Sequence, residues 1–274
     1  MATIAQERPG PAPRPDLLSG TPRAHAIDRW IYVFMAVWFI AITLVGFVPD
    51  SFAKIAAVSA GTKPPFPLVM HVHAVLMGSF LLLVLAQTIL VAGGRTDLHR
   101  RLGPVAMVLV PALVVAGIVL ATTIYHQAWN AAQSGPPALR TAMTARLPQL
   151  DNVLLLQIRS GIFFVFFIWL GLRARRRDAG FHKRIMFLAT ALPLGAALNR
   201  MAWLPSLVPG AAISQDLYVL LAVAPLFVWD VFRNRTLHRA WQIWLPAFVV
   251  ASVAVNLLWA TPSWHAAAHA IMGV

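Results

Sequence analysis

Gly161-Ile162-Phe163-Phe164-Val165-Phe166-Phe167-Ile168-Trp169-Leu170 fixes the class of this fold. It forms the centre of an apolar segment, 152–172. Crossing a hydrocarbon core about 30 Å thick takes roughly 20 such residues as a helix. Reading outward, a basic run follows (Arg173, Arg175, Arg176, Arg177), then the turn Gly180-Phe181-His182-Lys183-Arg184, then a new apolar segment. The pattern recurs along the chain. Asp97-Leu98-His99-Arg100-Arg101 and Thr236-Leu237-His238-Arg239 also open long apolar runs.

Seven segments are predicted to span a membrane: 30–48, 69–92, 103–124, 152–172, 185–205, 213–231 and 240–260. Prolines at 111, 193, 225 and 246 would break soluble helices, but membrane helices tolerate them when neighbours satisfy the freed carbonyls. The expected fold is all-α, a polytopic bundle of seven transmembrane helices. Residues 1–28, with five prolines, read as a disordered cytoplasmic tail, 29–260 as the membrane domain, and 261–274 as a short outer carboxyl-terminal tail.

Composition agrees. The chain is 59% hydrophobic and 11% charged, against about 25% charged in a soluble domain. The absence of cysteine excludes disulfides, thiolate metal sites, iron–sulfur clusters and covalent c-type haem. The formal charge of +13 punctuates membrane segments and forms no basic stripe interleaved with aromatics, so it points to a lipid surface and away from nucleic acid.

Those charges also orient the chain. With the amino terminus in the cytoplasm, the inner segments hold the arginines at 8, 14, 23, 29, 95, 100, 101, 173, 175–177, 184, 233, 235 and 239, with Lys183. The outer segments hold only Lys54, Lys63, Arg140 and Arg146. Seven spans then place the carboxyl terminus outside, in a cell membrane.

Two groups of residues could carry chemistry. His99, Arg100, His182 and Lys183 stand before span amino termini, where exposed N–H groups favour an anion, either lipid phosphate or a cofactor carboxylate. At the outer end, His71 and His73 begin the second span and His126 ends the third. A hairpin centred on His99 would put His73 and His126 at one depth, as bis-histidine ligation of b-type haem requires. A divalent metal on His71, His73 and His126, with His265 and His269, is an alternative. Plain interfacial histidines are another. Arg159 and Arg200 fall inside spans and would face an anionic ligand, a water-filled cavity, or Asp151 and Asp216. No residue is assigned a catalytic role. There is no P-loop, Gly-X-Ser-X-Gly elbow or His-Glu-X-X-His, and no lysine lies within a span to form a retinal Schiff base.

His71-Val72-His73, Gln87, Leu90-Val91, Gly94-Arg95 and Leu98-His99-Arg100-Arg101-Leu102-Gly103 resemble a family of uncharacterised bacterial multi-pass membrane proteins. Phe181-His182-Lys183-Arg184-Ile185-Met186 and Asn199-Arg200 fit the same pattern, which covers about residues 65–205. The resemblance implies a bacterial inner membrane and supplies no activity. A more distant likeness to cytochrome b561-type bundles rests on paired histidines across helices. Three functions remain open. One is electron transfer with His-ligated b-type haem or a quinone. The second is a non-redox carrier or lipid-binding protein for an anionic ligand. The third is a zinc-dependent intramembrane hydrolase.

Overall fold

The computed structural model describes residues 16–18, 20 and 23–274. Ten helices follow in chain order among them: α1 (Ala26–Ser59), α2 (Leu68–Ala92), α3 (Thr96–Leu102), α4 (Val105–Ser134), α5 (Pro137–Ala174), α6 (Ala179–Ala191), α7 (Leu194–Leu198), α8 (Ile213–Asn234), α9 (Arg239–Leu258) and α10 (Pro262–Met272). Six of them, α1, α2, α4, α5, α8 and α9, are long and apolar enough to cross a membrane. The chain therefore has the make-up of a multi-pass membrane protein.

The fifth expected span, 185–205, is not one continuous helix. The helix starts earlier, on an Asp178 cap whose carboxylate accepts the Phe181 N–H at 2.8 Å. It then breaks between Ala191 and Leu194, because Pro193 has no N–H to donate to the preceding turn. The resulting pieces, α6 and α7, are buried along nearly their whole length. Against them pack α1, α5, α8 and α9. Contact is closest at Gly46 of α1, where an added Cβ would run into the Ala197 backbone. Any side chain at Gly46 would force α1 off α7.

One end of the bundle gathers the basic turns. Asp28, in the first turn of α1, accepts from Arg233 Nη2 (2.6 Å) and Trp229 Nε1 (2.9 Å), both near the end of α8. Arg29 Nε donates to the Ala92 carbonyl at the end of α2 (2.6 Å). These bonds fasten the start of α1 to the ends of two neighbouring helices. Asp50 with Arg200, and Tyr125 and Asp151 with α10, meet near the other termini of these helices, the non-basic end.

Two of the expected tails are structured where they are described. Leu18 is fully buried in the main apolar core, and Leu17 N–H donates to Asn234 Oδ1 at 2.9 Å. The rest of the predicted disordered tail, residues 1–15, 19, 21 and 22, lies outside the described residues. Residues 262–272 form a docked helix, capped by Thr261 and started by Pro262, with Trp264, Ala268 and Met272 buried.

Candidate functional site

Two arginine–aspartate pairs lie inside the bundle, and both use α8. Toward the non-basic end, Arg159 of α5 grips Asp216 with two parallel bonds, Nη1 to Oδ2 at 2.7 Å and Nη2 to Oδ1 at 2.6 Å. Ser252 of α9 also donates to Asp216, and the guanidinium lies over the Phe248 ring at 5.6 Å. Both charged side chains are less than a tenth exposed. A small cleft of mixed character is lined by Leu198, Asn199, Met201, Ser214, Gln215 and Tyr218, with Gln215 preceding Asp216 in α8.

Toward the basic end, Arg184 of α6 binds Asp230 through Nε (2.6 Å) and Nη2 (2.6 Å). Neither side chain has any exposure. Asp230 also accepts from Trp241 Nε1 at 2.7 Å and Asn234 Nδ2 at 2.8 Å. The remaining face of the Arg184 guanidinium takes Asp16 at 2.9 Å through each of Nη1 and Nη2. Lys183 joins from the side, 2.7 Å from Asp16 and bonded to the Leu18 carbonyl. The amino-terminal segment, α6, α8 and α9 thus all meet on one guanidinium–carboxylate pair.

The space between the pairs is filled. Val219, Val223 and Leu226 of α8 and Trp244 and Phe248 of α9 are buried there. Trp244 stacks on Phe248 with ring centroids 4.7 Å apart. Its Nε1 is buried with no hydrogen-bond partner among the described residues, although it stands in sequence between Trp241, on Asp230, and Phe248, under Arg159.

The histidines expected as cofactor ligands are not brought together. Helix α2 ends at Ala92 as expected, but α3 folds straight back along it, so the hairpin is centred near residue 95 and not on His99: Gly103 packs by Gln87 and Gly117 packs by His73. His126 is nine positions beyond Gly117, about 13 Å further along the helix. Its ring nitrogens face the carbonyls of Thr122 (3.0 Å) and Met272 (2.9 Å). His73 Nδ1 is buried without a partner among the described residues, and His71 is exposed, edge-on to Phe66. Among the described residues, no three His, Cys, Asp or Glu side chains could hold a metal ion.

The expected anion-binding residues have internal partners. Arg200 donates to Asp50 (3.1 Å) and to the Ala196 carbonyl (2.5 Å), and lies over Phe47 at 4.4 Å. The Gln87 amide, in the orientation that satisfies both neighbours, donates to His99 Nδ1 (2.6 Å) and accepts from Gly103 N–H (3.0 Å). His182 Nδ1 meets the Gly171 carbonyl at 2.8 Å. Burial pushes both imidazoles below their ordinary value, and the nearby charges of Arg100 on His99, and of His99 and Arg175 on His182, act the same way. Arg100 is exposed. His238 is the amino-terminal cap of α9, its Nδ1 accepting from Ala240 N–H at 3.1 Å. Three similar turns thus put their histidines to three different uses.

Sequence reasoning misses Asp230 and the tail residue Asp16, and it takes Arg184 only as turn charge. A carboxylate between Trp229 and Val231 in the last turns of an apolar span is the available signal. No known protein family, curated protein or solved structure matches this chain.

Proposed function

We propose that this protein is a carrier of the bacterial inner membrane that moves a small anionic solute, with the Arg184–Asp230 and Arg159–Asp216 pairs as inner and outer gates. In this reading the run 185–205 remains a crossing, the seventh in the bundle, made in two pieces. The basic end faces the cytoplasm, next to anionic lipid, with the amino terminus inside and the carboxyl terminus outside. The observation that carries the reading is that one helix, α8, holds the carboxylate of both pairs. Asp216 and Asp230 are fourteen positions apart, about 21 Å along the axis, with Pro225 between them.

The energetics favour a working role over a structural one. Burying an ion pair costs several kcal/mol per ion before the attraction returns it, and apolar residues of similar volume often hold helices together as well or better. Charges inside membrane segments are by default functional. The neighbours suit movement: Pro225 removes one backbone bond from α8, and α6–α7 is a discontinuous, buried helix of the kind that frames substrate sites in carriers. A solute carboxylate or phosphate can replace an aspartate on the guanidinium with the same two-pronged geometry. The unpartnered Trp244 Nε1 offers it a donor between the gates.

Uptake of labelled succinate or inorganic phosphate into proteoliposomes tests the reading. Saturable uptake of either, reduced to the protein-free level in Asp216→Asn, supports it. Uptake of neither above the protein-free level counts against it.

A second reading, a His-ligated b-type haem or a bound quinone, has one observation in its favour. His182 donates Nδ1–H to the Gly171 carbonyl, the arrangement that orients a metal-ligating histidine and leaves Nε2 free, with His99 close by. A Soret band in the purified protein that is lost in His182→Ala would shift the balance to it, and a colourless protein would remove the haem form.

A further inference from the structure

Four buried carboxylates lie in the described helices: Asp28, Asp151, Asp216 and Asp230. Three are neutralised by an arginine, whose charge is permanent. Asp151 of α5 is the exception. Only 2% of its side chain is exposed, yet its ion-pair partners are both histidines of α10: His265 Nδ1 at 2.8 Å from Oδ2 and His269 Nε2 at 3.5 Å from the same oxygen. The second carboxylate oxygen accepts from Tyr125 Oη of α4 at 2.6 Å. Trp264 Nε1 donates to the Asp151 backbone carbonyl at 2.8 Å, fixing the helix at that position.

We propose that Asp151, His265 and His269 form a proton-binding site at the non-basic end, and that the proton it takes up holds α10 on the bundle. A buried carboxylate with no fixed positive partner is costly in its ionised form unless a proton joins the cluster. An imidazole is the side chain that can accept that proton near neutral pH. His269 Nε2 is buried and makes no well-aligned hydrogen bond among the described residues, so the cluster has an unused nitrogen that faces the carboxylate. His265 and His269 are each partly exposed, which connects the site to the aqueous phase at that end.

The surroundings leave the proton to these groups. From α4 the cluster is faced by Tyr125 and by His126, which is bonded to the Thr122 and Met272 carbonyls. On α5 the nearest fixed charges in sequence are Arg146, which makes no ion pair with Asp151, and Arg159, which is held by Asp216. The end of α9 contributes only neutral contacts, with the Ala260 N–H donating to Asn152 Oδ1 at 3.0 Å. The imidazolium–carboxylate pair exists on the acid side of the imidazole titration and is lost above it. Helix α10 is therefore held more firmly in mild acid than in mild alkali.

Hydrogen exchange of the full-length protein in lipid nanodiscs, compared at about pH 5.5 and about pH 7.5 after correction for intrinsic rates, tests this without any solute and independently of the carrier reading. Helix α10 is expected to be better protected at the acid pH, and this difference is lost in Asp151→Asn. If Asp151→Asn does not fold, the double variant His265→Gln with His269→Gln is expected to lose it in the same way. Protection of α10 that is equal at the two pH values in the native protein, or a difference that persists in the variants, overturns the proposal.

Discussion

The two ends of this bundle solve the same problem, a carboxylate buried among apolar helices, in different ways. At the basic end the solution is redundant and permanent. Asp230 has an arginine, a tryptophan and an asparagine around it, and Arg184 has a second carboxylate, Asp16, on its free face. At the non-basic end it is sparer. Asp216 has one arginine and one serine, and Asp151 has only histidines and a tyrosine. The basic end therefore resembles a lock and the other end a set of contacts that open on smaller provocation. In the carrier reading the outer gate is the easier one to release.

The largest effect is expected on removing one member of the Arg184–Asp230 pair. Arg184→Met leaves Asp230, which has no exposure, and the partly exposed Asp16 without their guanidinium. A loss of about 3–5 kcal/mol is expected, the range for an orphaned buried charge, and thermal unfolding in detergent reads it out. The double variant Arg184→Met with Asp230→Leu should recover most of that loss. Removing the acid of the Arg159–Asp216 pair, in Asp216→Asn, should cost less, because its charges retain slight exposure and fewer partners are stranded. Equal losses at the two ends would remove the asymmetry.

Overpacking the contact between α1 and α7 ranks below that. Gly46→Val must separate the two helices, since even a Cβ would meet the Ala197 backbone. Such a change costs about 1–3 kcal/mol, and a neutral Gly46→Val would mean that α7 is not held against α1.

The smallest effect is in pH. His99 and His182 are kept neutral by burial, so the unfolded chain binds more protons than the folded one. Their contribution to stability is full above the ordinary imidazole value of about 6.5 and is lost as pH falls from there through their lowered folded values. The Asp151 cluster has the opposite sign. Acidification from about pH 7.5 to about 5.5, across the imidazole range, should therefore loosen the basic end and tighten α10, and hydrogen exchange resolved by segment distinguishes the two. A uniform change along the chain would show that the ends do not differ.

The long spans are legible in the sequence because roughly twenty apolar residues in a row match the hydrocarbon core and little else. Six of them are continuous helices, and even Pro225 leaves α8 intact. The fifth is less uniform than its hydropathy implies: Pro193, followed by the small residues Gly195, Ala196 and Ala197, divides it into two buried pieces. Depth is the least legible quantity at the hairpin between α2 and α4. A symmetric turn about His99 is the simplest course, but α3 doubles back beside Gln87 and carries His126 away from His73's level. Arg159 is visible in sequence, with Asp216 among its candidate partners, because a charge inside a span stands out. Arg184 does not stand out, since it sits in a turn where topology alone already calls for positive charge. Asp16 is hidden for another reason: an acid with no apolar segment around it, in a proline-rich tail, shows no local sign that it will dock.

In the carrier reading the two pairs close the two ends of one path along α8, and cysteine accessibility reports on that path most directly. The chain has no native cysteine, so a single Val223→Cys, buried between the pairs, can be probed from either side of sealed proteoliposomes with a membrane-impermeant thiol reagent. No labelling is expected in the otherwise native protein. Adding Arg184→Gln should allow labelling from the basic side, and adding Arg159→Gln from the opposite side. Labelling from neither side in both variants, or from the same side in both, would refute the two-gate arrangement.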